Sequence, residues 1–183
     1  INLGNPKHKL SWEKTYLLVN HLSNQISKDI KLGDRCILIS ENRPEWLISD
    51  LAIMLAGGIS VPSYTTYTTK DYEYIIKDCE PSIVIVSNNI QFKKIKDILD
   101  YKKIKQIISF DQLENLKFQN YICIADIINK KANFENFDSE ISLKRSDPAC
   151  IIYTSGTQGN PKGVILSHGG ILSNCEGGYE LLK

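Results

Sequence analysis

Residues 151–168 read IIYTSGTQGNPKGVILSH, and they join two short apolar runs, 149–153 and 164–166, through a polar segment. Short apolar runs bounded by Gly, Pro and Asn are typical of strands joined by a turn. Three glycines in the segment allow backbone N–H groups to converge on one point, because glycine has no Cβ. With three hydroxyls and the ammonium of Lys162, the segment predicts a cradle for phosphate oxygens. The alternative is an ordinary hairpin turn with surface hydroxyls.

The two most common nucleotide-binding motifs do not fit this segment. A Walker A loop that started at Gly156 would need a second glycine at position 161, where the chain has Pro161. The dinucleotide fingerprint needs a glycine at position 158, where the chain has Gln158. The phosphate-binding prediction therefore requires another kind of loop.

Composition places the chain among globular proteins and excludes several functions. It has 183 residues, 42% of them hydrophobic and 23% charged, with a formal net charge of +1. This balance gives no basic footprint for nucleic acid. No apolar stretch approaches the ~20 residues that span a bilayer, and residues 1–10 do not resemble a signal peptide. We expect no transmembrane segment and a cytoplasmic location, with peripheral membrane contact and oligomeric state left open.

The five cysteines are an odd number at wide spacings, without the close Cys or His pairs of a zinc site. Four of them lie in apolar runs or predicted elements. We therefore expect buried, free thiols in a reducing compartment, and we expect Cys175 to be packed and not a nucleophile. The cysteines are Cys36, Cys79, Cys123, Cys150 and Cys175.

Short apolar runs alternate with amphipathic segments along most of the chain, which predicts a three-layer α/β fold on a largely parallel sheet. Ligands of such sheets gather beyond the carboxyl ends of the strands. Segment 112–145 has no clear pattern apart from a short helix at 125–129. We predict strands at 36–39, 59–64, 83–86, 104–110, 149–153 and 164–166, with helices at 11–28, 42–55, 68–79, 88–99 and from 170. The predicted N-caps are Ser11, Asn42, Thr68 and either Asn88 or Asn89.

Residues 153–164, with the order Tyr-Thr-Ser-Gly-Thr-x-Gly-x-Pro-Lys-Gly-Val, resemble the signature of the adenylate-forming (AMP-binding) ligase superfamily. That superfamily includes acyl-CoA synthetases, peptide-synthetase adenylation domains and luciferases. Segments 33–46, 50–66 and 72–88 are similar to the N-terminal part of long-chain fatty acyl-CoA synthetases, and NRPEW at 42–46 favours these over other members. The resemblance implies that residues 1–183 are a partial N-terminal adenylation domain that stops after the phosphate-loop motif.

The resemblance implies a two-step reaction with ATP, Mg²⁺ and coenzyme A. A fatty acid carboxylate attacks the α-phosphate of ATP, and coenzyme A then displaces AMP from the acyl-adenylate. A fatty acyl-AMP ligase that uses a carrier protein, or another acyl-adenylating enzyme, is an alternative. A truncated, non-catalytic phosphate-binding remnant is a third reading. The family's remaining motifs are absent, so we expect the 183 residues alone to be inactive.

The resemblance also assigns roles to the residues of the loop. Lys162 adds a positive charge to the phosphates, and Thr154 is the candidate hydroxyl ligand of Mg²⁺. Gly163 lets the backbone turn into the next strand. Gln158 stands where family members usually have Thr or Ser, and its amide can still donate to phosphate. The phosphate-binding residues implied are Thr154, Ser155, Gly156, Thr157, Gln158, Gly159 and Lys162.

Other residues outside this loop invite a functional interpretation. His168 is close enough in sequence to approach a carboxylate substrate, but capping or packing at a helix start is an equal alternative. Trp46 and the tyrosines at 64, 67, 72 and 74 are expected to pack and not to stack on adenine. No pair of carboxylates for acid–base chemistry is visible.

Overall fold

Strands and helices alternate in the computed structural model, which describes residues 10–129, 141–154 and 161–181. The helices are α1 (Trp12–Ser27), α2 (Pro44–Leu55), α3 (Thr69–Cys79), α4 (Asn89–Ile95), α5 (Ile124–Asn129) and α6 (His168–Leu181). The strands are β1 (Arg35–Ile39), β2 (Ile59–Ser63), β3 (Ile83–Val86), β4 (Gln106–Ser109), β5 (Tyr121–Cys123), β6 (Pro148–Thr154) and β7 (Lys162–Ser167).

The strands form one sheet in the order β5-β4-β3-β1-β2-β6-β7. Every neighbouring pair is parallel except β6 and β7, which are antiparallel. This confirms the prediction of an α/β fold on a largely parallel sheet. The order β2-β1-β3-β4-β5 reverses direction between β1 and β3, which creates a crevice at their carboxyl ends, where ligands of doubly wound sheets bind.

The hydrophobic core has two parts, one on each face of the sheet, so the fold has three layers. Alternate residues of a strand point to opposite faces. Leu38 and Ile85 therefore pack with α1 and α2 on one face, while Ile37 and Val84 pack with α3 and α4 on the other. All four side chains are completely buried. Continuous apolar strands such as β1 and β3 are what a sheet covered on both faces requires.

Local signals set most helix starts as predicted. Ser11 Oγ accepts from Lys14 N at 3.1 Å, and Thr68 forms a capping box with Asp71. Asn88 caps α4 by accepting from two backbone N–H groups. The prediction of Asn42 as the cap of α2 is wrong, because Arg43 occupies that position without a side-chain cap.

Several boundaries differ from the prediction. The helix at 125–129 is confirmed as α5, but strand β5 was not predicted. Helix α4 ends at Ile95 and not near residue 99, and α6 begins at His168 and not at Gly170. Gly57 ends α2 with a positive φ of 81°, a conformation that glycine adopts without strain. No helix in the described segments has the length and apolar character needed to cross a bilayer.

Candidate functional site at the carboxyl edge of the sheet

The predicted phosphate-binding segment connects β6 to β7, and the structure fixes both of its flanks. Thr154, the last residue of β6, is paired with Lys162, the first residue of β7. Paired residues of antiparallel strands have Cα atoms about 5 Å apart. Both residues are exposed, and both lie at the edge where the parallel strands end. The flanks of the segment are therefore adjacent at the ligand-binding edge of the fold.

Five of the predicted phosphate-binding residues lie outside the described residues. They are Ser155, Gly156, Thr157, Gln158 and Gly159. Their assignment stays a prediction. Thr154 and Lys162 are the two predicted residues whose position the structure gives, and it brings them together.

The chemistry of this pair fits a phosphate and its cation. No described residue forms an ion pair with Lys162, so its ammonium is available to an anion. The hydroxyl of Thr154 is a hard oxygen donor of the kind that Mg²⁺ accepts, usually alongside waters and substrate phosphates. The described residues contain no group of three or more His, Cys, Asp or Glu that could hold a metal on its own. A magnesium ion here would therefore need ligands from beyond the described residues.

Gly163 has a different role from the one expected. It lies inside β7, paired with Tyr153 of β6, and does not form the turn. A Cβ at this position would lie 2.9 Å from Ile151 Cγ2 and 3.2 Å from Tyr153 Cζ. The expectation of a turn residue is therefore wrong, and glycine is needed because the tyrosine ring occupies the space of a side chain.

An open groove of about 590 Å³ lies beside the hairpin, over the carboxyl ends of β1, β2 and β6. Apolar groups of Trp46, Pro62, Tyr64 and Ile152 form part of its wall. Its polar lining comes from Ser40, Glu41, Asn42, Ser63 and Thr65, and Tyr153 reaches it from β6. The strand pattern predicted ligands at this edge but not this groove, because the residues of the groove come from four separate segments.

Glu41 gives the groove a negative charge. Its carboxylate accepts from Gln91 Nε2 at 2.8 Å, across the crevice between β1 and β3. Partial burial favours a higher pKa for Glu41, but the hydrogen bonds that the carboxylate accepts outweigh it, and the pKa is lowered. Glu41 is therefore ionised at neutral pH, so this part of the groove disfavours anions.

Arg43 links the segments that follow β1 and β4 at the same edge of the sheet. Its guanidinium donates two hydrogen bonds to Asp111, at 2.8 and 2.9 Å, and two weaker ones to Glu45. It also lies 5.4 Å from the ring centre of Phe110. Because Asp111 follows β4 and Arg43 follows β1, the pair spans the carboxyl end of β3. Bidentate pairing of this kind fixes orientation as well as distance.

His168 does not lie at this site. It begins α6 after the far end of β7, with its N–H donating to Asp147 O at 3.0 Å. Strand β6 runs from that end, Pro148, to Thr154, a length of roughly 20 Å. The interpretation of His168 as a residue at a helix start is confirmed, and a contact with a substrate at the loop is excluded by this distance. Its side chain lines an apolar groove between α2 and α6.

For the tyrosines and cysteines, the structure confirms some predictions and contradicts others. Tyr67 and Tyr72 pack edge to face at 5.9 Å, as expected. Tyr64 packs against Tyr67 but is also exposed on the groove. Four of the cysteines are buried free thiols as predicted, whereas Cys175 is exposed on α6, so the expectation that it is packed is wrong.

The family model for the AMP-binding enzyme matches residues 2–181. The chain therefore belongs to the AMP-binding enzyme family. It is 32% identical over 176 residues to the long-chain-fatty-acid–CoA ligase ACSBG2 of Xenopus laevis, covering 92% of this chain and 23% of the relative. It is 30% identical over 175 residues to ACSBG1 of Rattus norvegicus, covering 90% of this chain and 24% of the relative. The chain thus spans about a quarter of the length of these relatives.

Solved structures share the fold. ATP-bound MatB from Rhodopseudomonas palustris aligns with a TM-score of 0.71 at 26% identity, covering 91% of this chain and 31% of that one. A long-chain-fatty-acid CoA ligase described from the same organism aligns with a TM-score of 0.75 at 20% identity, covering 91% and 40%. The α/β architecture described above is that of the N-terminal portion of adenylate-forming enzymes, and the chain is related to acyl-CoA ligases.

Proposed function

We propose that the protein containing this chain activates a long-chain fatty acid with ATP and transfers the acyl group to coenzyme A. The observation that carries the proposal is the pairing of Thr154 with Lys162 at the carboxyl edge of the sheet. It supports a phosphate site where the family signature predicts one. In this proposal residues 1–183 form the N-terminal part of an adenylation domain.

The reaction has two balanced steps. A carboxylate oxygen of the fatty acid forms a bond to the α-phosphorus of ATP, and the bond to pyrophosphate breaks. The thiol of coenzyme A then attacks the acyl carbon, loses its proton, and AMP leaves. The first step is needed because a carboxylate is a poor acyl donor until it carries a good leaving group. Positioning and electrostatic stabilisation carry most of the catalysis of such a step.

The chain's own contribution is to bind and orient the phosphates. The loop residues Thr154, Ser155, Gly156, Thr157, Gln158 and Gly159 would donate hydrogen bonds, and Lys162 would add a point charge. Thr154 would hold Mg²⁺, which supplies neutralisation of phosphate charge when bound. The ammonium of Lys162 is exposed and forms no ion pair with a described residue, which supports this assignment.

The proposed substrates are supported by the relatives. Both ACSBG proteins are named as long-chain-fatty-acid–CoA ligases, and MatB was solved with ATP bound. The free thiols are consistent with a reducing compartment, and we place the reaction in the cytoplasm.

The test is ATP–pyrophosphate exchange by the full-length protein with a long-chain fatty acid. We expect Lys162→Ala to lower kcat/KM for ATP about 100-fold, the size of effect seen when one stabilising group is removed from an active site. The matched control is Lys144→Ala, which should leave exchange unchanged. Lys144 is exposed and precedes the first residue of β6, so it lies toward the end of that strand away from the loop. Equal activity of the two variants would overturn the assignment of Lys162 to the phosphate site. No exchange by the parent would overturn the proposal and favour a non-catalytic remnant.

The acyl substrate and the acceptor are tested separately. Exchange with palmitate should exceed exchange with acetate, and the adenylate should react with coenzyme A. Transfer only to an acyl carrier protein would instead identify a fatty acyl-AMP ligase. A preference for a short or aromatic acid would contradict the long-chain assignment while leaving adenylation intact.

A further inference from the structure

Tyr153 lies on β6 one residue before the end of the strand, and it connects this part of the β6–β7 hairpin to α3. Its hydroxyl donates to Asp78 Oδ2 at 2.5 Å, across 75 positions of sequence. The ring is 3% exposed and belongs to the core on the α3 and α4 face. Burial, and then the hydrogen bond to Asp78, raises the pKa of Tyr153, so the hydroxyl stays protonated and remains a donor.

Gly163 holds the other side of the same ring. It is the residue paired with Tyr153 on β7, and its missing side chain leaves the space that the ring fills. An aromatic side chain that covers a glycine on the neighbouring strand is a known way to fix strand register. The ring is therefore held by Asp78 at its hydroxyl and by Gly163 along its edge.

The hairpin lies at one end of the sheet. Strand β7 is an edge strand that bonds to β6 alone among the described strands. Strand β6 runs parallel to β2, with Ser60 paired with Cys150. The contact of Tyr153 with α3 therefore adds a tertiary link beyond the strand pairing, close to the loop.

We propose that Tyr153 is a positioning residue for the phosphate site. The next pair along the hairpin is Thr154 with Lys162. Anchoring Tyr153 to α3 fixes where that pair lies relative to the rest of the carboxyl edge. In this proposal Tyr153 acts through Thr154 and Lys162 and not by contact with the phosphates. The inference rests on the proposed function, because it assumes that Thr154 and Lys162 bind a nucleotide.

The experiment compares two tyrosines in the full-length protein. Tyr153→Phe removes the hydroxyl and keeps the ring. Tyr121→Phe is the matched control, because the Tyr121 hydroxyl is also hydrogen-bonded, to Ser109 Oγ at 2.7 Å and to Leu113 N at 3.0 Å, but lies on β5, the strand at the other end of the sheet. We expect similar losses of thermal midpoint for the two variants. We expect a fall of about tenfold in kcat/KM for ATP in pyrophosphate exchange for Tyr153→Phe alone, because displacement of binding groups costs rate steeply.

A second pair of variants tests the acceptor without altering the core. Asp78 is exposed on α3, so Asp78→Ala should fold and should reproduce the loss of activity. Asp78→Asn keeps a carbonyl oxygen as acceptor and should restore activity to near the parent value. A purely structural role would leave Asp78→Ala and Asp78→Asn equal in exchange.

The outcomes separate this inference from the proposed function. Suppose that Lys162→Ala lowers exchange, but that Tyr153→Phe and Asp78→Ala lose no more exchange activity than Tyr121→Phe does. The positioning role is then wrong and the proposed function stands. If Lys162→Ala has no effect either, Thr154 and Lys162 do not form the phosphate site and the positioning role is wrong with it. If the parent shows no exchange, the proposed function is wrong. The inference is supported if Tyr153→Phe and Asp78→Ala both lose exchange activity while Asp78→Asn stays near the parent.

Discussion

The central strands and the β6–β7 hairpin are built in opposite ways. Strand β1 has five register pairs with β2 and four with β3, and the side chains of Ile37, Leu38 and Ile85 are completely buried. The hairpin ends the sheet, because β7 pairs with β6 alone among the described strands, and Ile165 on β7 is 62% exposed. Apolar burial is therefore concentrated in the centre, while the candidate phosphate site lies in an exposed hairpin.

This difference follows from what each region has to do. A loop that must present donors to phosphate cannot be buried, because buried backbone polar groups need partners inside the protein. Thr154 and Lys162, which flank the loop, are exposed, and the next residue pair is linked to α3 by the hydrogen bond from Tyr153 to Asp78. Substitutions in the central strands should therefore lower stability, whereas substitutions beside the loop should mainly alter the candidate site.

The largest expected effect comes from the centre. Ile85→Ala removes a completely buried side chain from β3 and should lower the free energy of unfolding by about 3–4 kcal/mol, from lost burial and the cavity that remains. The matched change on the hairpin, Ile165→Ala, should cost less than about 0.5 kcal/mol. Urea denaturation of both variants checks this contrast. Equal costs would mean that Ile165 is covered by another part of the protein.

The centre was also the part most readable from sequence. The runs CILI at 36–39 and IVIV at 83–86 are apolar throughout, and a buried parallel strand needs no other signal. Strand β5 was missed because it has three residues and runs directly into α5, so it shows no periodicity of its own. The Asn42 cap was wrong because a local rule cannot see Arg43, whose guanidinium is held by Asp111, 68 positions away.

The candidate site was readable only as a motif. The order of residues 153–164 predicted the phosphate loop and its place after a strand, and the pairing of Thr154 with Lys162 agrees with that placement. The contact of Tyr153 with Asp78 and the groove beside the hairpin were not predicted. Both depend on segments that are far apart in sequence and meet only through the strand order β1-β2-β6.

A smaller effect on stability is expected at Gly163, which pairs with Tyr153 beside the loop of the hairpin. Gly163→Ala places a Cβ within 2.9 Å of Ile151 and 3.2 Å of Tyr153 and should cost about 1–3 kcal/mol, as other overpacked sites do. The matched change, Gly177→Ala, lies in the interior of α6 with no atom within 4 Å. It should stabilise the protein by about 0.5–1 kcal/mol, because alanine favours helices. Thermal melts that place Gly163→Ala at or above the parent would show that the ring is free to move.

The smallest effect is expected at the junction between the two regions, and it depends on pH. Ser60 Oγ donates to Asp50 Oδ1 at 2.6 Å, and Ser60 is the residue of β2 that pairs with β6. Burial raises the pKa of Asp50, and the hydrogen bond from Ser60 only partly opposes this. A carboxyl with a raised folded-state pKa binds its proton more tightly in the native state than in the unfolded one. Its contribution to stability is therefore full below the unfolded pKa of about 3.9 and is lost as pH rises through the folded pKa.

Asp50→Asn tests this directly, because the amide oxygen still accepts from Ser60 and carries no charge at any pH. The variant should unfold at a higher urea concentration than the parent at pH 7, and the difference should close toward pH 3, where Asp50 is protonated. Cys150, the partner of Ser60 across the junction, has a thiol whose pKa is raised by burial and by Asp50, so its alkylation should also quicken in the variant. A variant less stable than the parent at pH 7 would show that the Asp50 charge holds the two regions together.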